Sequence, residues 1–173
     1  MLKKKKIVAI IGAFLVISIL FLVFGTSRYQ SIKIKNKSFV GLENKLKESV
    51  KANTEVDMKK LTDFDWDECY VFTPYYPPEE IYEKVGVEWT TTKTYIEFLF
   101  FHNLENQIVD DNQYVIVFKK DNKVILSAKY NLNELPIIFM LDNYKFTSSS
   151  AKFKVAAAKQ YNQGNIKELI LIK

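Results

Sequence analysis

Four lysines, Lys3, Lys4, Lys5 and Lys6, precede Ile7 to Phe24, an uninterrupted run of 18 uncharged residues whose only hydroxyl is Ser18. At about 1.5 Å rise per residue, a helix over this run is roughly 27 Å long, close to the hydrocarbon thickness of a bilayer. The lysines favour the cytoplasmic side, so the remaining chain is expected outside the membrane. Arg28 and Tyr29 follow the run at the level where headgroups would lie. The resulting organisation is a basic tail (1–6), a transmembrane signal anchor (7–25), a juxtamembrane linker (26–37) and an extracytoplasmic domain (38–173). Its first expected partner is the lipid bilayer. Two alternatives stay open: a cleaved signal peptide with Gly25-Thr26-Ser27 as a weak cleavage site, and a buried soluble helix. No cysteine follows the run closely, so the usual lipid-modified cysteine is absent.

This organisation changes the meaning of the net charge. The 173 residues carry +5, and removing Lys3 to Lys6 leaves +1. The outer domain is nearly neutral and offers no global case for nucleic-acid binding. Within it the charge is uneven. Residues 28–60 hold nine basic and four acidic groups, residues 61–88 one basic and eight acidic, and residues 89–173 eleven basic and eight acidic. The first segment suits either anionic headgroups or a solvated stalk. The composition also holds 24 Lys against one Arg, and 12 Asn, the bias of an AT-rich genome; a bacterial plasma membrane is the expected location.

One Cys and one His exclude an intramolecular disulfide framework and multi-cysteine or multi-histidine metal centres. No glycine-rich phosphate loop and no G-x-S-x-G elbow is present. Asp63, Asp65 and Asp67 alternate, but the positions where a calcium loop wants Gly and Glu hold Glu68 and Pro74. Cys69 lies in an apolar strand and reads as a buried thiol, and nothing in the sequence brings it to His102. No metal and no cofactor is expected.

The domain reads as α+β, with a mostly antiparallel sheet and two flanking helices. Phe39, Leu42, Leu46 and Val50 step at helical spacing after Ser38, a candidate N-cap, and Asn53-Thr54 ends the helix. Phe64 and Trp66 alternate with aspartates in an extended segment. Tyr70 to Phe72 follow as a strand that Thr73-Pro74 stops. Pro77 and Pro78 open a short helix with Glu79 and Glu80 in its first turn, and Gly86 suits its left-handed end. In 94–101 the spacing of Ile96, Leu99 and Phe100 suits a helix, while the β-branched and aromatic content suits a buried strand; a strand is expected. Residues 113–119 and 123–130 form a hairpin about Asp121-Asn122. Further strands are expected at 136–141, 144–147, 152–157 and 167–172, with a turn at Asn162-Gln163-Gly164-Asn165. The Ala156–Ala158 run has helix as its alternative.

The run from Phe64 to Gly86 resembles a signature of small bacterial lipoproteins and membrane-anchored proteins. The matching positions are Phe64, Asp65, Trp66, Asp67, Tyr70, Phe72, Pro74, Tyr75, Ile81 and Gly86, and the resemblance extends from Leu61 to Tyr130. It implies a strand, a Pro-Tyr turn and a short helix ending in glycine, in a membrane-tethered protein, and no particular activity.

The expected function is a non-enzymatic binding module for a protein or envelope component. The turn Tyr75-Tyr76 would present rings beside the acidic residues Glu79, Glu80 and Glu83, with Asp63 and Asp65 as flanking charges, to a basic protein partner. A specific version is an immunity protein against an exported toxin. A second class is an envelope hydrolase using two carboxylates about 5–10 Å apart, one with a raised pKa. A third is an assembly factor in which the anchor itself matters most.

Overall fold

The computed structural model describes residues 2–108, 110–158 and 166–172. The apolar run lies in helix α1, Leu2–Ile32, of 31 residues. Among the described residues this is the one helix long and apolar enough to span a membrane, and the rest of the chain covers none of its apolar window. Its hydroxyls bond back along the helix, Ser18 Oγ to the Phe14 carbonyl at 2.8 Å and Thr26 Oγ1 to the Leu22 carbonyl at 2.7 Å. Neither is left seeking water.

Residues 26–37 are structured, where a linker was expected. Helix α1 continues to Ile32, and Tyr29, expected at the headgroups, is 2% exposed, its hydroxyl donating to the Thr92 carbonyl at 3.0 Å. Beyond the helix, the Thr90 N–H donates to the Ile32 carbonyl at 2.9 Å and the Ile34 N–H to the Thr90 carbonyl at 3.0 Å. The Asn36 side chain then exchanges two 2.8 Å hydrogen bonds with the Ser127 backbone. The helix that meets the membrane criteria is thus built into the domain.

Helix α2 (Val40–Ala52) buries Leu42, Leu46 and Val50 and turns Val40 outward, as their spacing predicts. Ser38 is not its N-cap; Phe39 holds that place without a side-chain hydrogen bond and stacks on Tyr130 instead. After it come β1 (Glu55–Asp57), α3 (Met58–Leu61), β2 (Glu68–Phe72), α4 (Pro78–Val85) and α5 (Tyr95–Phe101). The remaining strands are β3 (Gln113–Lys120), β4 (Lys123–Asn131), β5 (Ile137–Met140), β6 (Lys145–Thr147), β7 (Lys152–Ala157) and β8 (Lys167–Leu171).

These strands form two four-stranded sheets rather than one, in the orders β4-β3-β2-β6 and β1-β7-β8-β5. Every ladder is antiparallel except β5 with β8. The closing strand β8 sits inside its sheet, as its apolar content suggests. The Ala156–Ala158 run goes to strand β7 through Ala157. The expected turn at 162–165 lies outside the described residues.

Within the first sheet the central strands β2 and β3 are buried on both faces, which explains their near-continuous apolar runs. Side chains alternate across it. Cys69 and Val71 with Tyr114, Ile116 and Phe118 face a core shared with α2 and the second sheet; Tyr70 and Phe72 with Val115 and Val117 face α4 and Trp89. Phe139, Phe146 and Phe153 join the two sheets, with the Phe146–Phe153 rings edge to face at 4.9 Å. Asp121 and Asn122 both have positive φ, 47° and 58°, so the β3–β4 turn is of the type that matches strand twist.

The segment 94–101, expected as a strand, is helix α5. A reciprocal cap starts it: the Glu97 N–H donates to Thr94 Oγ1, and the Glu97 carboxylate accepts from the Thr94 N–H. This local arrangement overrides the β-propensity of its Phe and Ile residues.

Candidate recognition surface

Strand β2 ends at Phe72, and the chain turns at once. Tyr75 takes φ 60°, a left-handed conformation that a bulky residue adopts only where its surroundings hold it. Tyr75 is 62% exposed, and its hydroxyl donates to Asp111 Oδ1 across the turn. That bond, with the nearby charge of Asp110, raises the Tyr75 pKa. Tyr76 is half-buried, its ring 4.8 Å from Phe72 and 5.0 Å from Tyr144. Burial raises its pKa, and the charges of Glu80 and Glu83 add to the effect.

Pro78 at the first position of α4 supplies a helical φ where no N–H is needed, and Gly86 closes the helix at φ 79°. Ile81 and Val85 anchor α4 to the sheet, which leaves Glu79, Glu80 and Glu83 in solvent. One exposed ring and one supported ring therefore stand between the acids of α4 and the pair Asp110-Asp111. The sequence reading missed Asp110 and Asp111, because nothing local ties them to a turn some 35 residues earlier.

Asp63 and Asp65 do not join this surface. They are exposed at the opposite end of β2, whose four residue steps span roughly 13 Å. There they line a hollow with Lys59 and Lys120. The alternation itself holds, since Trp66 is buried and Phe64 packs edge to face on Phe118 at 5.3 Å. Asp67 is committed to the β3–β4 turn, accepting from the Asp121 N–H at 2.8 Å and from Lys120 at 3.2 Å, and its pKa is lowered.

A second polar cluster joins α1 to the domain. Arg28 pairs with Glu88 at 2.8 Å; Glu88 meets His102 Nε2 at 2.9 Å, and His102 Nδ1 lies 3.3 Å from Glu105. Glu105 also accepts from the Thr90 hydroxyl and from Thr91. The hydrogen bond to Glu105 raises the His102 pKa against the effect of burial, with Glu88 adding to it. Both imidazole nitrogens thereby face carboxylates. Cys69 is fully buried, its thiol pushed well up by desolvation, and its Sγ points to the Tyr70 carbonyl at 3.9 Å rather than to His102.

Among the described residues the carboxylates with displaced pKa values are Asp67, Glu68, Glu88 and Glu105, and all four are lowered. A general acid requires the opposite displacement. At Glu68 burial works upward, but hydrogen bonds from Lys119, Lys145 and Tyr70 outweigh it and hold the carboxyl at about 2.

Compared with known proteins, the chain matches no family model, no curated protein and no solved structure.

Proposed function

We propose that this chain is a single-pass membrane protein whose outward domain recognises a basic protein through the Tyr75-Tyr76 turn. The observation that carries the reading is the conformation of Tyr75: a left-handed tyrosine, held by Asp111, with its ring in solvent. Keeping a large aromatic exposed on an ordered turn costs conformational and hydration free energy, which a partner's surface would recover. The acids on either side, Glu79, Glu80 and Glu83 with Asp110 and Asp111, would speed encounter with a basic partner and fix its orientation. The lowered carboxylates and the doubly bonded His102 favour this reading over a hydrolase. An immunity protein against a basic exported toxin is its more specific form. The positive-inside bias of Lys3 to Lys6 supports an outward-facing domain on a bacterial plasma membrane.

The test is capture from solubilised envelope with the full chain as bait, because residues 28–36 belong to the fold. A parallel bait carries Tyr75→Ala and Glu80→Lys. A partner held by the first and lost by the second, with capture weakening as salt rises, supports the proposal. Equal capture by both baits refutes it.

A further inference from the structure

Helix α5 presents an apolar face that none of the other described residues covers. Ile96, Leu99 and Phe100 are 68%, 48% and 72% exposed, and Phe101 and Leu104 extend the same patch. Residues 96, 99 and 100 follow the three- and four-residue steps that line one side of a helix. The opposite side is fully used. Tyr95 and Phe98 lie against Tyr29 with ring centroids 5.9 and 5.5 Å away, and Phe98 meets His102 at 4.6 Å.

The height of α5 along α1 decides what this face meets. Tyr95 rests on Gly25, the residue immediately after Phe24, where the apolar run ends. If α1 spans the bilayer, α5 therefore lies at the boundary between acyl chains and headgroups. Exposed Lys93 stands just before α5, and Lys33 donates to the Lys93 carbonyl at 2.6 Å, so ammonium groups stand beside the apolar patch where anionic headgroups would be. We propose that α5 is a second membrane contact, with Ile96, Leu99, Phe100 and Phe101 embedded in the outer leaflet as an interfacial amphipathic helix. This rests on the membrane-spanning reading of α1. The domain is then clamped to the bilayer surface at two places, and the Tyr75 turn has a defined height and orientation above it.

The experiment uses the full chain in vesicles of phosphatidylethanolamine and phosphatidylglycerol, with or without lipids brominated near the upper acyl chain. A thiol-reactive fluorophore is attached at Phe100→Cys, at Phe21→Cys within the apolar run, or at Glu79→Cys on α4. The native Cys69 is buried and does not compete. The expected result is quenching at Phe100→Cys of at least about half that at Phe21→Cys, with Glu79→Cys unquenched. Phe100→Cys as bright as Glu79→Cys, with Phe21→Cys still quenched, overturns the inference and leaves the anchor standing. Loss of quenching at Phe21→Cys as well overturns both. An unquenched fluorophore at Phe100→Cys, together with disulfide cross-linking of the unlabelled Phe100→Cys chain to its own copy under a mild oxidant, assigns the patch to self-association and likewise overturns it.

Discussion

The Tyr95 hydroxyl lies so close to the backbone of Gly25 that a methyl group added at Gly25 would overlap the tyrosine ring. This pair sets how α5 sits on α1. Gly25→Val should displace α5 and destabilise the domain by about 1–3 kcal/mol, the usual effect of overpacking. Gly12→Val is the control, because nothing lies near that glycine. Thermal unfolding of the full chain in nanodiscs reads both.

The cluster of Arg28, Glu88, His102 and Glu105 gives the junction a pH dependence of known sign. His102 titrates above its ordinary value of 6.5, so its contribution is complete below about 6.5 and disappears as pH rises through the folded value. Glu88 and Glu105 titrate below 4.5, so theirs is present above about 4.5 and lost on acidification. The junction is therefore tightest between these two limits. The neighbouring Tyr82, half-buried with its ring 5.5 Å from His102, has its pKa raised beyond the ordinary tyrosine range and stays neutral throughout. Raising the pH from about 6 to 9 should lower the melting temperature by about 2–4 °C, and His102→Gln should remove that step.

Glu68 predicts a separate acid transition. Its carboxyl is held at about 2, below its ordinary 4.5, so its contribution is present above about 4.5 and fades as pH falls toward 2. Its partners are Lys119 at 2.6 Å, Lys145 at 2.9 Å and the Tyr70 hydroxyl at 3.1 Å. With solvent screening included, Glu68→Gln should cost about 1–2 kcal/mol at neutral pH and much less at about pH 2. Urea unfolding at the two pH values checks this.

The two tyrosines of the turn should separate stability from binding. Tyr75→Ala removes an exposed ring and should change stability by about 0.5 kcal/mol or less. Tyr76→Ala removes contacts with Phe72 and Tyr144 and should cost about 1–2 kcal/mol. Partner capture should fall for both.

Much of this architecture is legible in the residues because its causes are local. Asp121-Asn122 announces the β3–β4 hairpin, and Pro77-Pro78 with Gly86 brackets α4. The even spacing of Phe64 and Trp66 is enough to turn them inward. Helix α5 shows where composition misleads: its Phe and Ile content suggests a strand, while Thr94 and Glu97, three residues apart, form the cap that starts a helix. That spacing was the available signal. No local signal exists for the bond from Tyr29 to Thr92, nor for that from Arg28 to Glu88, each spanning some 60 residues. For the same reason the sequence offers Tyr75 and its neighbours on α4 as a group without Asp111, and it suggests Asp63 and Asp65, which precede β2, as flanking charges of a turn that follows β2.

The most direct test of the account is the side of the membrane on which the Tyr75 turn lies. Intact bacterial cells producing the full chain with Glu79→Cys are treated with a membrane-impermeant maleimide. The account predicts labelling of intact cells and recovery of the labelled protein in the membrane fraction after an alkaline wash. Labelling only in inside-out vesicles, or release of the protein by the wash, would contradict it.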